Sequence, residues 1–147
     1  PQVRRALPTL DASNGEIWAK LDAGTEEHFR EVNRPIGGLT LRRIVDGIAE
    51  VAKGRPVVIQ TLLLRLDSEL PGEAELDAYC RRLHEIMDAG GKIRLIQLHT
   101  IARSPESPRV AALSNQELDA VAEKLRGSVE GVPIETYYGR DMPPQTK

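Results

Sequence analysis

Cysteine is almost missing from this chain of 147 residues, where Cys80 stands alone. One thiol excludes an intrachain disulfide framework and any metal site that draws several thiolates from this chain; it points to a reducing compartment, here the cytoplasm. A surplus of charge is missing too. Against 22 Asp and Glu stand 20 Lys and Arg, a formal net charge of -2. That balance gives no broad electrostatic reason to expect nucleic acid, and the local pairs Arg42-Arg43 and Arg81-Arg82 are expected to be solvated helix faces. No apolar run approaches the ~20 residues of a membrane span, so no membrane is expected as a partner. There is no Gly-x-Gly-x-x-Gly turn, no phosphate loop and no His or Cys cluster at metal-ligand spacing. No Ser, His and Asp set declares itself. The chain opens Pro-Gln-Val rather than Met, with no secretory signal, so its true N-terminus is expected upstream.

What is present is ordinary for a globular protein, at 40% hydrophobic and 29% charged residues. The length suits a single domain over 1–147 and falls short of a complete eight-fold barrel, which needs roughly 250 residues. The stretch 16–23, Glu-Ile-Trp-Ala-Lys-Leu-Asp-Ala, organises the rest. Period-two alternation sends Ile17, Ala19 and Leu21 to one face, and Trp18, Lys20 and Asp22 to the other. Charges buried mid-strand are costly, whereas at a strand's carboxyl end they can meet a ligand. Lys20 and Asp22 are candidates on that ground; the plainer alternative is that they pair with each other at a solvated rim.

Residues 1–15 read as a brief helix broken at Pro8 and then a loop. Thr25 caps a short helix with Glu26 and Glu27 in its first turn, ended by Asn33-Arg34-Pro35. From the next cap, Thr40, the apolar positions Leu41, Ile44, Val45, Ile48, Val51 and Ala52 share one side of a helix stopped by Gly54. The run 56–64 reads as a strand buried on both faces, with Gln60-Thr61 late in it. A polar loop over 65–72 precedes a helix carrying Leu76, Tyr79, Cys80, Leu83, Ile86 and Met87. Cys80 lies on its packing face, as a small buried hydrophobe. His28 and His84, in charged helical surroundings, are expected at the surface.

The strand 92–100 places Leu95, Gln97 and His99 on one face and Ile96, Leu98 and Thr100 on the other. Ser114-Asn-Gln-Glu117 forms a capping box ahead of a helix that stops at Gly127. A fourth strand spans 132–138, and 140–147 reads as a frayed tail. Strands alternating with helices predict an α/β fold with parallel pairing. The polar pairs Lys20 with Asp22, Gln60 with Thr61, and Gln97 with His99 then share one sheet edge, where such folds place ligands.

Lys20-Leu-Asp-Ala-Gly, Asn33-Arg34-Pro35, Gln60-Thr-Leu and Gln97-Leu-His-Thr-Ile-Ala-Arg103, in this order, resemble the carboxyl half of radical S-adenosylmethionine (SAM) enzymes. The closest likeness is to the branch of iron-sulfur oxidoreductases related to the tRNA wyosine-base synthases, over nearly the whole chain. The resemblance implies a partial (βα) barrel of about four parallel strands with helices on the outer face, the carboxyl-terminal part of a (βα)6 barrel. It implies that Lys20, Asp22 and Gln60 face the methionyl and ribose parts of SAM, that Thr61 also belongs to the cofactor-binding set, and that the sixth-strand end from Gln97 through His99 to Ile101 lies beside the adenine. Asn33, Arg34 and Arg103 would approach a small-molecule or RNA substrate. The chain departs from the family in lacking the Cys-x3-Cys-x2-Cys loop that holds the 4Fe-4S cluster, and the glycine-rich segment that binds the SAM amine. The expectation is a fragment of an enzyme that cleaves SAM reductively to a 5'-deoxyadenosyl radical, inactive without the N-terminal part of the same protein. Two other readings stand beside it: a non-catalytic α/β regulatory or interaction module, and a barrel lyase using Lys20 as a Schiff-base amine. A half-barrel would leave sheet edges bare, so the isolated chain is expected to self-associate.

Overall fold

The computed structural model describes residues 2–139; the stretch read as a tail, 140–147, lies outside them. Four strands form one parallel sheet in chain order: β1 (Ile17–Lys20), β2 (Val57–Leu62), β4 (Ile93–His99) and β6 (Ile134–Tyr137). Five helices complete the α/β fold: α1 (Gln2–Ala12), α2 (Glu26–Asn33), α3 (Leu41–Gly54), α4 (Glu73–Asp88) and α5 (Asn115–Ser128). Strands laid down side by side in one direction, each pair separated by helix, make a partial βα barrel.

The helix starts follow the sequence. Thr25 and Thr40 accept from the backbone N–H groups of His28 and Arg43, and Ser114 with Glu117 closes the capping box of α5. Each cap satisfies N–H groups that the helix itself leaves unpaired. At its far end α2 turns off through Arg34, which takes a left-handed conformation (φ 44°) while its N–H bonds to the Arg30 carbonyl.

Alternation and register decide what each sheet face carries. Ala19, Ile59, Ile96 and Ile134 stand side by side across the four strands, and this face supplies the sheet's whole share of the continuous apolar core. Helices α3, α4 and α5 close over it with Val45, Leu83, Ile86, Leu118 and Leu125. Burying each of these large aliphatic side chains stabilises the fold by about 1.5–3 kcal/mol. The opposite face joins none of that core. Its lowest row is apolar, Trp18 beside Val58 beside Leu95, with Trp18 still 54% exposed. The run 56–64 was read as buried on both faces. In fact Val58 is buried, while Gln60 and Leu62 on the same side remain half-open, because helices cover only one side of the sheet.

Two more readings are corrected. Helix α1 runs unbroken through Pro8, its last turn held by the Arg55 guanidinium, which forks onto Asp11 at 2.6 and 2.7 Å. The loop expected over 65–72 begins with a strand, β3 (Leu64–Leu66), paired antiparallel with β5 (Val110–Ala112). Buried Thr100 ties this pair to the sheet, its hydroxyl donating to the Leu63 carbonyl and accepting from the Leu113 N–H.

Candidate functional site

Two polar rows stand above the apolar row on the helix-free face, at the carboxyl ends of the strands. The first is Lys20, Gln60, Gln97 and Glu135, neighbours in register across all four strands. The second is Leu62, His99 and Tyr137. Parallel pairing brings to one place what the sequence spreads over more than a hundred positions, as parallel folds do at this edge.

A hydrogen-bond chain runs along the first row. Gln60 Nε2 donates to Gln97 Oε1 at 3.2 Å, Gln97 Nε2 donates to the Tyr137 hydroxyl at 3.2 Å, and that hydroxyl donates to Glu135 at 2.6 Å. The bond to Glu135 holds the Tyr137 pKa above its usual value, because ionisation would remove the proton it donates. Above the chain, the His99 ring stacks on Tyr137 with centroids 4.6 Å apart and planes 11° from parallel. Burial holds the imidazole below its ordinary pKa, and the Lys20 charge adds to that, against a smaller opposing pull from Asp22. His99 Nε2 is buried and has no hydrogen-bond partner among the described residues.

Asp22 sits just past β1, 7% exposed. Its Oδ1 accepts the Leu62 N–H at 2.8 Å, its Oδ2 accepts from Asn33 Nδ2 at 2.9 Å, and Lys20 Nζ lies 3.7 Å from Oδ2. The carboxylate therefore locks the exit of β1 to the end of β2 and anchors the end of α2, and it aims Lys20. Lys20 itself stays open, with its side chain 64% exposed. Such solvation disagrees with a Schiff-base amine, which needs a desolvated pocket to lose its proton at neutral pH.

Lys20, Gln60, Thr61, Leu62 and His99 line a cavity of about 170 Å³. Thr61 is there through its main chain. Its side chain lies on the helix-covered face, 1% exposed, where its hydroxyl meets the Leu21 carbonyl at 2.8 Å and the Tyr79 hydroxyl at 2.5 Å. The expectation that Thr61 belongs to the cofactor-binding set is corrected for its side chain, since one step along a strand reverses the face. Asn33 joins the site through Asp22, whereas the Arg34 side chain is exposed and lines none of the cavities around these rows. Ile101 and Arg103 fall elsewhere. They line a larger cavity, about 600 Å³, between the loop after β4, β5, the start of α5 and Gly139.

Sequence reasoning missed Tyr137 and Glu135. Their signal was present in the alternation of 134–137, but it acquires meaning only once Gln97 is known to pair with Glu135 and His99 with Tyr137.

Cys80 is buried on the packing face of α4, and among the described residues no group of three His, Cys, Asp or Glu could hold an ion. Nor is any described helix long and apolar enough to cross a membrane.

No family model and no curated protein matches the chain. Among solved structures, a radical SAM methyltransferase from Sphaerobacter thermophilus is similar, with a TM-score of 0.62 and 18% sequence identity over 86% of this chain. The match covers 34% of that structure, so this chain spans about a third of its length. At that identity the likeness is one of fold: these strands and helices are arranged as in part of a radical SAM enzyme.

Proposed function

We propose that this chain is the SAM-facing half of a radical SAM iron-sulfur oxidoreductase, with the motif likeness favouring the branch related to tRNA wyosine-base synthases. One observation carries the reading: two registered polar rows at the carboxyl ends of parallel strands, on the face no helix covers, with the buried His99 Nε2 left without a partner. An orphaned buried nitrogen is costly unless a ligand completes it. The fold likeness agrees with this assignment.

The residues present suit SAM unequally. Asp22 and Gln97 are engaged by their neighbours, so their part is to hold Lys20 and Gln60 in place. Lys20 Nζ, Gln60 Oε1 and His99 Nε2 are the groups left to meet the ligand, Lys20 as a donor to its carboxylate. Ile101 and Arg103 would act from the larger cavity beyond β4, Ile101 as an apolar edge and Arg103 toward a small-molecule or RNA substrate, while Asn33 is held at the site by Asp22 and Arg34 follows it, exposed. Bound beside a reduced 4Fe-4S cluster, SAM would supply hydrogen-abstracting radical chemistry. The cluster does not fit this chain, whose one thiol is buried in a helix, so its ligands belong to the N-terminal part of the same protein.

The test is to load the full-length protein anaerobically with iron and sulfide, reduce it, and assay 5'-deoxyadenosine from SAM. Product from the full-length protein, none from residues 1–147 alone, and about tenfold weaker SAM binding in Lys20→Met and His99→Ala support the reading. Absence of product from a protein with an intact cluster overturns it. The engagement of Asp22 and Gln97 by neighbouring groups favours the second reading, a non-catalytic α/β module in which the rows only brace the sheet; SAM binding indifferent to Lys20 and His99 would leave that one standing.

A further inference from the structure

The two basic pairs read as solvated helix faces do not lie apart. Arg42, at the start of α3, and Arg82, in the middle of α4, reach the same carboxylate: Arg42 Nη1 is 2.8 Å from Glu85 Oε2, and Arg82 Nη1 is 3.2 Å from Oε1. Arg81 turns into the same space. The three arginines line a cavity of about 290 Å³ with Gly24, Thr25 and Glu26. It lies in the helix layer among α2, α3 and α4, across the sheet from Lys20 and His99.

The acids nearby are already occupied. Glu26, the one acid in the wall, accepts from Arg30 Nε at 3.2 Å and from the Leu41 N–H at 2.8 Å. Glu75 is taken up by the N–H groups of Gly24 and Thr25 and by the Thr25 hydroxyl. The amides of Gly24, Thr25 and His28 are therefore spent, and the arginines are the cationic groups of the cavity wall. Glu85 serves two of them, and Asp46 adds a looser pairing to Arg42 at 3.6 Å. Arg81 makes no hydrogen bond or ion pair among the described residues, and Arg82 Nε is buried with no acceptor. Donors are in excess, and a buried donor without an acceptor is costly.

We propose that this cavity binds a phosphate group. A guanidinium fork matches phosphate oxygens two at a time, and a tetrahedral dianion offers enough acceptors for Arg81 and the free edge of Arg82 together. The volume lies at the small end of ligand pockets, which suits a single phosphoryl group, and the chain's balanced charge supplies no stripe for an extended nucleic-acid backbone.

The experiment titrates the full chain with inorganic phosphate and, separately, with phenyl phosphate, at ionic strength held constant with chloride. Saturable binding with one site per chain is expected, about tenfold weaker in Arg81→Gln and in Arg82→Gln, and unchanged in Arg109→Gln, whose side chain pairs with Asp67 elsewhere on the surface. Tighter binding of phenyl phosphate assigns the site to phosphomonoesters; equal binding assigns it to the free ion. Arg81 is exposed and unpaired, so Arg81→Gln keeps its fold even if Arg82→Gln does not. No saturable binding at millimolar phosphate, or binding that Arg81→Gln leaves intact, overturns the proposal.

Discussion

The carboxylate of Asp22 and the main-chain nitrogen of Leu62 are joined at 2.8 Å, across the gap between the exit of β1 and the last residue of β2. With Asn33 on its other oxygen at 2.9 Å, one buried side chain sets the spacing of the strand ends that carry Lys20, Gln60 and His99. Asp22→Ala leaves the Leu62 N–H and the Asn33 amide without their acceptor, and an expected loss of about 2–3 kcal/mol is read by urea denaturation. Lys20→Met tests the ion pair alone. Lys20 is largely exposed, so a loss of under about 1 kcal/mol is expected. Equal losses in the two variants would mean that Asp22 acts only as a counter-charge.

His99 ties stability to pH. Burial foremost, then the Lys20 charge, lowers its folded pKa below the ordinary imidazole value near 6.5, so the unfolded chain takes up the proton first as pH falls. The contribution is therefore whole above about pH 6.5 and is lost on acidification below it. Denaturation midpoints between about pH 7.5 and 5.5 should fall more steeply in the parent chain than in His99→Gln. The ring's own titration, followed by NMR on its Cε1–H, should have its midpoint below 6.5 and move upward in Lys20→Met.

Much of this arrangement was legible in the residues. Thr25, Thr40 and the Ser114–Glu117 box mark helix starts because capping is local chemistry, and Ile96 and Leu98 oppose Gln97 and His99 because a strand's period is fixed. Lys20, Gln60, Gln97 and His99 were placed at one edge by assuming parallel pairing, which the register bears out. Thr61 was assigned with Gln60 by adjacency in sequence, and adjacency in a strand means opposite faces. The β3–β5 pair was illegible for a different reason. Three residues on each side hold together through Thr100 and through the Arg65 and Glu117 side chains, all partners distant in sequence.

The bare sheet face bears on how the chain behaves in solution. Strand β1 pairs on one side only, and its own Trp18 is 54% exposed. An unpaired edge next to an apolar row invites another chain. Light scattering of residues 1–147 should report a mass above the monomer, and Trp18→Lys should lower it. A monodisperse monomer would count against this.

Gly24 sits where the chain leaves the site and starts α2, and here the tolerance for change is least. Its N–H donates to Glu75 at 2.5 Å, drawing the loop down onto α4. A Cβ built there would lie on the Tyr79 main-chain nitrogen and 2.5 Å from the Ala78 carbonyl carbon. Both are backbone atoms in the middle of a helix, so no rotamer change relieves the clash, and either the loop or α4 must move. Tyr79 also holds the Thr61 hydroxyl, and Thr61 holds the Leu21 carbonyl. Displacing α4 therefore disturbs β1 and β2 as well. Gly24→Ala should cost about 3 kcal/mol or more, beyond the usual range for one added methyl group in a packed interior. Gly47→Ala is the matched control, because nothing lies within 4 Å of its added carbon and alanine suits a helix interior better than glycine. That variant should gain up to about 1 kcal/mol in the same denaturation series. If the two substitutions prove equally mild, the close seat of the β1–α2 loop on α4 is wrong, and with it the route by which the helix layer fixes the strand ends.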